Sequence, residues 1–370
     1  MSTHTPFKPA WAAESVEEGH PDKVADAIAD ALVDAWIERD PHARVAAEVL
    51  VKGNRVTVAG EIDSCERIDV PGVIRKAVAS IGYTHSADAF NAHALQVDDQ
   101  LHRRTTHPGR DVFQAGNAGA GDQALIYGYA TDETEERLPL PLVLAHRLTR
   151  GLAALRRGAG AAWMRPDGKS LVTLKGGRVD SVVLVHCLAP GVDERGLQAI
   201  EDLVQREVVG QALGPWMHEG VRTLINPGGP FVEGGPAGDA GVTGRKLMVD
   251  TYGGLARHGG GGFSGKDGTK VDRSAAYFAR WVARSIVDQG IAQRAEVRLA
   301  YAIGREEPVA FAVDVLGTGD QRAAERFLGQ TDPRPAAIID QFQLRRPIYR
   351  STTQYGHFGK PDLPWEQTGY

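Results

Sequence analysis

The run HGGGGFSGKDGTK, His258 to Lys270, combines the two residue types that phosphate binding needs. Its glycines let backbone N–H groups approach a ligand closely, and its lysines supply positive charge. Read from Gly260, the spacing is that of a phosphate-binding P-loop: Gly260, four residues, Gly265, Lys266. Asp267 stands where such a loop needs Ser or Thr to hold magnesium. The preceding YGGLARH is not a buried strand, and the next helix is expected only near Asp272, so the P-loop reading fails. What remains is a polyanion site made of side-chain cations on a glycine backbone. The rest of the connection 226–270 supports it with Arg245, Lys246 and His258, interleaved with Asp239, Asp250, Asp267 and Asp272. Phe231, Val232, Leu247, Met248, Val249 and Phe263 are more apolar content than a bare linker carries.

Other residues could join this chemistry. ESVEEGHPDKVADAIAD sets His20, Asp22 and Lys23 at the mouth of a helix, where free N–H groups suit anions. Asp22 is equally an ordinary first-turn acid and His20 a loop residue. Asp22, Asp26, Asp30 and Asp34 recur every four residues, and the later ones are expected on a solvated face. A turn at Gly53-Asn54 pairs Glu48 with Ala59 and puts Glu61 on the same sheet face as Glu48. These carboxylates either line a rim or hold a cation or an ammonium group. Asp122 and Gln123 precede an apolar run, and Asp167 and Lys169 open a strand; each pair is either a turn or part of a site. QVDDQLHRRTTHPGRDVFQ, from Gln96, reads as a mobile lid or a surface loop.

The elements that must position these residues form a repeat. Val24, Ile28, Ala31, Leu32, Ala35 and Trp36 share one helical face, a hairpin turning at Gly53-Asn54 follows, and then the helical VPGVIRKAVASI. Leu144, Leu148, Leu152 and Leu155 open a second copy, whose hairpin turns at Gly176-Gly177. Ala275, Phe278, Val282 and Ile286 open a third. Helix, hairpin, helix thus occurs three times, roughly 120 residues apart, which is too long a period for a solenoid. The expected fold is α+β: three similar subdomains, each a sheet backed by helices, over 10–106, 117–232 and 233–370. Gly-rich connections at 96–124, 158–170 and 226–270 are where function is expected.

The chain of 370 residues has a formal net charge of −5 and no long basic run, which argues against nucleic acid as a partner. Cys65 and Cys187 form neither a metal motif nor a disulfide framework. No signal peptide or bilayer-spanning run is present, and the expectation is a cytoplasmic protein without membrane contact.

Taken together, GHPDK, GAGDQ, RPDGKS, GGPAGDAGVTGRKLMVDTYGG, HGGGGFSGKDGTKVDRSAAY and LRRPIYRSTTQYGHFGK resemble the methionine adenosyltransferase, or S-adenosylmethionine synthetase, family nearly end to end. The resemblance implies three α+β subdomains in pseudo-threefold arrangement. It implies a homodimer or dimer of dimers with active sites between subunits. The implied substrates are ATP and L-methionine: sulfur attacks C5′, the triphosphate leaves whole, and it is then hydrolysed to pyrophosphate and phosphate. Implied cofactors are two magnesium ions and potassium. Carried over by motif, His20 acts on the bridging oxygen of the leaving group. Asp22 and Asp272 are magnesium ligands and Glu48 marks the potassium site. Lys169, Arg245, Lys246 and Lys266 contact phosphates, and Lys169, Arg245 and Lys266 join His20 as catalytic residues. Asp167, Phe231, Asp239 and Gly262 complete the ATP side; Glu61, Gln96, Asp122, Asp239 and Lys270 form the methionine side. Two departures stand out: QVDDQLHRR where the family's lid reads like QSPDI, and INPGGPF for INPTGRF, in which Pro230 replaces a basic residue and removes a backbone donor. The expected consequence is unchanged chemistry with altered kinetics.

Overall fold

A computed structural model describes residues 10–104 and 119–368. It contains three sheets, each covered on one face by a long helix. The first sheet has the order β1 (Ala10–Val16), β6 (Met164–Lys175), β7 (Arg178–Leu188), β8 (Arg222–Ile225). The second has β11 (Ala310–Asp314), β10 (Arg294–Tyr301), β5 (Ala124–Thr131). The third has β4 (Gln96–Arg104), β3 (Arg55–Asp63), β2 (Arg44–Lys52), β9 (Gly241–Val242). The helices used below are α1 (Pro21–Arg39), α2 (Val70–Ile81), α3 (Leu140–Arg157), α4 (Glu194–Val204) and α5 (Val271–Asp288). Helix α3 backs the first sheet, α5 the second and α1 the third.

Alternation in the strands sets the layers. Val45, Ala47, Val49 and Val51 of β2 point into the core under α1, while Glu48, Leu50 and Lys52 face out. The Gly53-Asn54 turn gives Glu48↔Ala59 and Ala46↔Glu61, as the alternation predicts. Leu144, Leu148 and Leu152 of α3 and Ala275, Phe278, Val282 and Ile286 of α5 are fully buried.

Each sheet takes one strand from a distant part of the chain. β1 joins β6, β5 joins β10, and β9 covers the edge of β2. The third case matters most for function. Only Gly241 and Val242 pair as a strand there, and Thr243 continues by donating its backbone N–H to the Val49 carbonyl at 3.0 Å. The chain then leaves the edge and returns at Gly265–Asp267, where Lys266 bridges to Ala46. A split strand thus flanks β2, and the cationic glycine segment is the excursion between its halves.

Two expectations are corrected here. The segment from Gln96 is not a loop in its first part: residues 96–104 are a strand, paired in parallel with β3 from Arg55↔Gln96 to Asp63↔Arg104. Parallel partners are non-local, so no hairpin turn announces them. The rest of that stretch, 105–114, lies outside the described residues. Nor do the α1 aspartates face solvent: Asp22, Asp26 and Asp30 are buried and Asp34 is half-buried. The glycine segment and the C-terminal turns cover the face that polarity alone assigns to water.

Candidate active site

The aspartates of α1 hold the cationic segment in place. Asp22 accepts the Val242 N–H at 3.0 Å, Asp26 the Gly244 N–H at 2.8 Å, and Asp30 the Gly265 N–H at 2.8 Å. Asp34 accepts from Tyr349 and Arg350. Four residues of helix advance about 6 Å, so the acids form a ladder of evenly spaced backbone anchors. The glycines are required where they lie against other chain: Gly265 has φ +83°, and a Cβ there would collide with the Ala47 carbonyl.

A first group of side chains surrounds the N-terminus of α1. His20 caps the helix, its Nδ1 accepting the Asp22 N–H at 3.2 Å. Burial, with Lys246 and Lys169 nearby, pushes the imidazole down to about 3. It is therefore neutral at working pH. Because Nδ1 accepts, its one proton sits on Nε2 and is available to a ligand. Lys246 bonds Asp22 at 2.6 Å, and Arg245 Nε lies 3.6 Å from the same carboxylate with its side chain more than half exposed. Burial would raise Asp22, but the Lys246 bond and the Val242 N–H hold it below the usual carboxylate range. Lys169 enters from β6, opposite Val16, with its side chain exposed.

Asp167, two residues earlier, is buried and accepts the Gly235 N–H at 2.8 Å. Half-buried Phe231 is tied to β7 where its carbonyl accepts the Leu188 N–H, and exposed Asp239 lies close enough to Asp167 to raise it. A cavity of about 250 Å³ adjoins this part, lined by Tyr83, Phe90, Arg165, Cys187, Val232 and Glu233. Pro230 is exposed in the loop before Phe231.

A second group lies on the outer face of the third sheet. Lys266, next to Ala46, bonds Asp272 at 2.8 Å. In the same row Ala46 pairs with Glu61 and Glu61 with His102. Glu48 is two residues along β2, and burial raises its carboxyl against the pull of Lys266. Gly262 packs on Gly244, joining the two arms of the segment. Lys270 lies beside Asp267 at 3.5 Å, and exposed Asp122 precedes β5, whose Leu125 carbonyl touches Gly259.

Asp267, the residue out of place in a P-loop, is a clasp. Its carboxylate accepts the Val45 and Thr269 N–H groups at 2.8 Å each, which ties the loop to the start of β2. Gln96 does not join the second group. It sits at the hairpin end of β4, bonded to Arg55 at 3.2 Å, six residues from the row that contains Glu61. At about 3.3 Å per residue that is close to 20 Å. The β4 residues that share the outer face near Glu61 and Glu48 are His102 and Gln100, which sequence reasoning missed because the parallel register was not visible. It also missed Asp30 and Arg273.

Asp167 gives a pH prediction. Burial, outweighing the Gly235 N–H and Lys169, pushes its carboxyl up to about 6. The charged form is present above that pH and lost below it. If the nucleoside is held by the carboxylate, kcat/KM for the nucleotide falls about tenfold per pH unit below pH 6. Asp167→Asn lowers the plateau and removes this acid limb; a limb that survives the substitution refutes the assignment.

These features define a class: a polyphosphate-handling enzyme on a three-sheet α+β frame, with an anchored glycine backbone and paired lysines in place of a nucleophile–base triad. The comparisons make the class specific. Residues 8–106, 117–231 and 233–367 match the N-terminal, central and C-terminal domains of S-adenosylmethionine synthetase. The S-adenosylmethionine synthase of Thermus thermophilus is 48% identical over 96% of this chain and 95% of its own length. Those of Clostridium acetobutylicum and Sorangium cellulosum are each 46% identical, over 96% and 97% of this chain and 96% and 87% of their own lengths. The chain belongs to the S-adenosylmethionine synthetase family.

Proposed function

We propose that the chain makes S-adenosylmethionine from ATP and L-methionine through a site assembled from both groups of residues. The observation that carries this is the gathering of cations around one neutral donor: Lys246 and Lys169 lie near the His20 imidazole, and exposed Arg245 joins Lys246 at the neighbouring Asp22 carboxylate. The thioether sulfur has no proton to remove, so its attack on C5′ needs no general base. The barrier lies in charge developing on the departing triphosphate. Fixed cations and a hydrogen-bond donor at the bridging oxygen stabilise that charge where it forms. Asp167 and Phe231 hold the nucleoside end with Asp239. Glu61, Asp122 and Lys270 take the methionine end, and Gln96 is left out of it.

Among the described residues no three His, Cys, Asp or Glu side chains converge as a metal cage. Asp22 and Asp272 stand apart, each bonded to a lysine. That donor set suits magnesium, which takes one or two carboxylates and fills its shell with phosphate oxygens and water. Asp22 and Asp272 would each hold one ion, which would neutralise phosphate charge when bound. Glu48, exposed on the outer face, is the residue for potassium.

The oligomer is a homodimer or dimer of dimers with the site shared between chains. The outer sheet faces expose Leu50, Leu125, Leu171 and Leu224. Leu171, Val183 and Leu224 form one row across three strands, the kind of apolar face a second copy covers. A shared site predicts complementation. Co-expressed His20→Ala and Lys266→Ala chains form hybrids in which one site keeps both residues, so activity recovers to about a quarter of wild type in a statistical mixture. No recovery places both residues in one chain's site. We place the protein in the cytoplasm, a reducing compartment that suits the free thiols of exposed Cys65 and buried Cys187. No helix among the described residues is long and apolar enough to cross a membrane.

The test of the reaction is the fate of the C5′ oxygen. With ATP carrying ¹⁸O at the C5′ bridge, sulfur attack on carbon sends the label into the phosphate products and none into the adenosyl product. Label retained on a nucleoside shows cleavage at phosphorus instead and refutes the mechanism.

A further inference from the structure

The buried pair of Asp30 and Arg273 lies under the Lys266 loop and touches no solvent. Arg273 uses every one of its N–H groups. Nη1 donates to Asp30 Oδ1 at 2.6 Å and to the Lys266 carbonyl at 2.8 Å. Nη2 donates to Asp30 Oδ2 at 2.7 Å and to Thr352 Oγ1 at 3.1 Å, and Nε to the Tyr277 hydroxyl at 3.0 Å. The Tyr349 ring stacks on the guanidinium at 4.3 Å. Asp30 Oδ1 in turn accepts the Gly265 N–H at 2.8 Å. The pair therefore holds the loop at two consecutive residues, by the N–H of Gly265 and the carbonyl of Lys266, immediately below the Lys266 side chain.

A buried ion pair is a weak source of stability, because desolvating both charges consumes most of their attraction. Its value is geometric: a bidentate guanidinium–carboxylate fork fixes both distance and direction. On this ground we infer that Asp30 and Arg273 are positioning residues that hold Lys266 at the angle from which its ammonium meets the leaving triphosphate. This rests on the reading of Lys266 as a phosphate contact. The molecule supplies its own control. Arg280 and Glu366 form a second fully buried pair, but Arg280 binds the carbonyls of Tyr129, Glu136 and Arg137, none of them in the cationic loop.

The test is a double-mutant cycle on the intact oligomer. Arg273→Lys keeps the charge and loses the fork. Asp30→Asn keeps an acceptor for Gly265 and the side-chain shape, so it serves where Arg273→Lys fails to fold. Each lowers kcat about 10- to 100-fold with the KM for methionine nearly unchanged, the scale expected for a roughly 1 Å displacement. In a Lys266→Ala background the same substitutions cost less than about twofold, because the group they position is gone. Arg280→Lys has the same proportional effect in both backgrounds. The inference is overturned if Arg273→Lys and Asp30→Asn also act equally in both, which would make the pair a general structural one. If Lys266→Ala alone leaves kcat intact, the phosphate reading of Lys266 falls, and this inference with it.

Discussion

Lys266→Ala lowers kcat for S-adenosylmethionine formation by about 100- to 1,000-fold, the range seen when one preorganised charge-stabilising donor is removed. The size of the effect follows from how little freedom Lys266 has. Its backbone pairs with Ala46, Gly265 before it admits no side chain, and Asp267 after it is clasped to β2. A cation held this rigidly needs no reorganisation when the triphosphate departs, so its contribution appears in the transition state more than in substrate binding. Steady-state kinetics should therefore show the loss in kcat, with the KM for methionine changed less than about threefold. A loss confined to the KM for ATP would mean that Lys266 binds the ground state only.

The second large effect belongs to His20, which has two separable jobs. Its Nδ1 caps α1, and its Nε2–H is the donor proposed for the leaving group. Asn in its place supplies a capping oxygen but no donor at the imidazole's reach; Ala supplies neither. Both variants lower kcat about 100- to 1,000-fold through the lost donor to the bridging oxygen. Only His20→Ala also loses about 1 kcal/mol of stability through the lost cap. Because the imidazole is held down to about 3, it stays neutral across the working range. The wild-type kcat profile therefore carries no limb near pH 6.5 from His20. Thermal melts and pH–rate profiles of the two variants separate the roles; equal melting temperatures would show that the cap is not formed by the side chain.

Much of this architecture is legible in local pattern. The alternation in β2 and β3 with a Gly53-Asn54 turn places Glu48 and Glu61 on one face, and the register Glu48↔Ala59 agrees. The stripes of α3 and α5 identify buried faces because those helices each lie on a sheet. The failures share one physical origin. Asp26 and Asp30 look like a solvated face because helical periodicity reports only polarity, and their cover is a polar glycine segment more than 200 residues away in sequence. Gln96 looks like part of a lid because the parallel pairing of β4 with β3 has no local turn to mark it. Once that strand is placed, the outer-face row brings His102, and not Gln96, next to Glu61.

The most direct measurement incubates the purified protein with ATP, L-methionine, magnesium and potassium, and follows product by mass spectrometry alongside phosphate and pyrophosphate. S-adenosylmethionine, phosphate and pyrophosphate in equal amounts are the predicted result. Phosphate released without the adenosylated product would contradict the account and show a triphosphatase that does not use methionine; nucleotide binding with no turnover would instead mark a silent partner subunit.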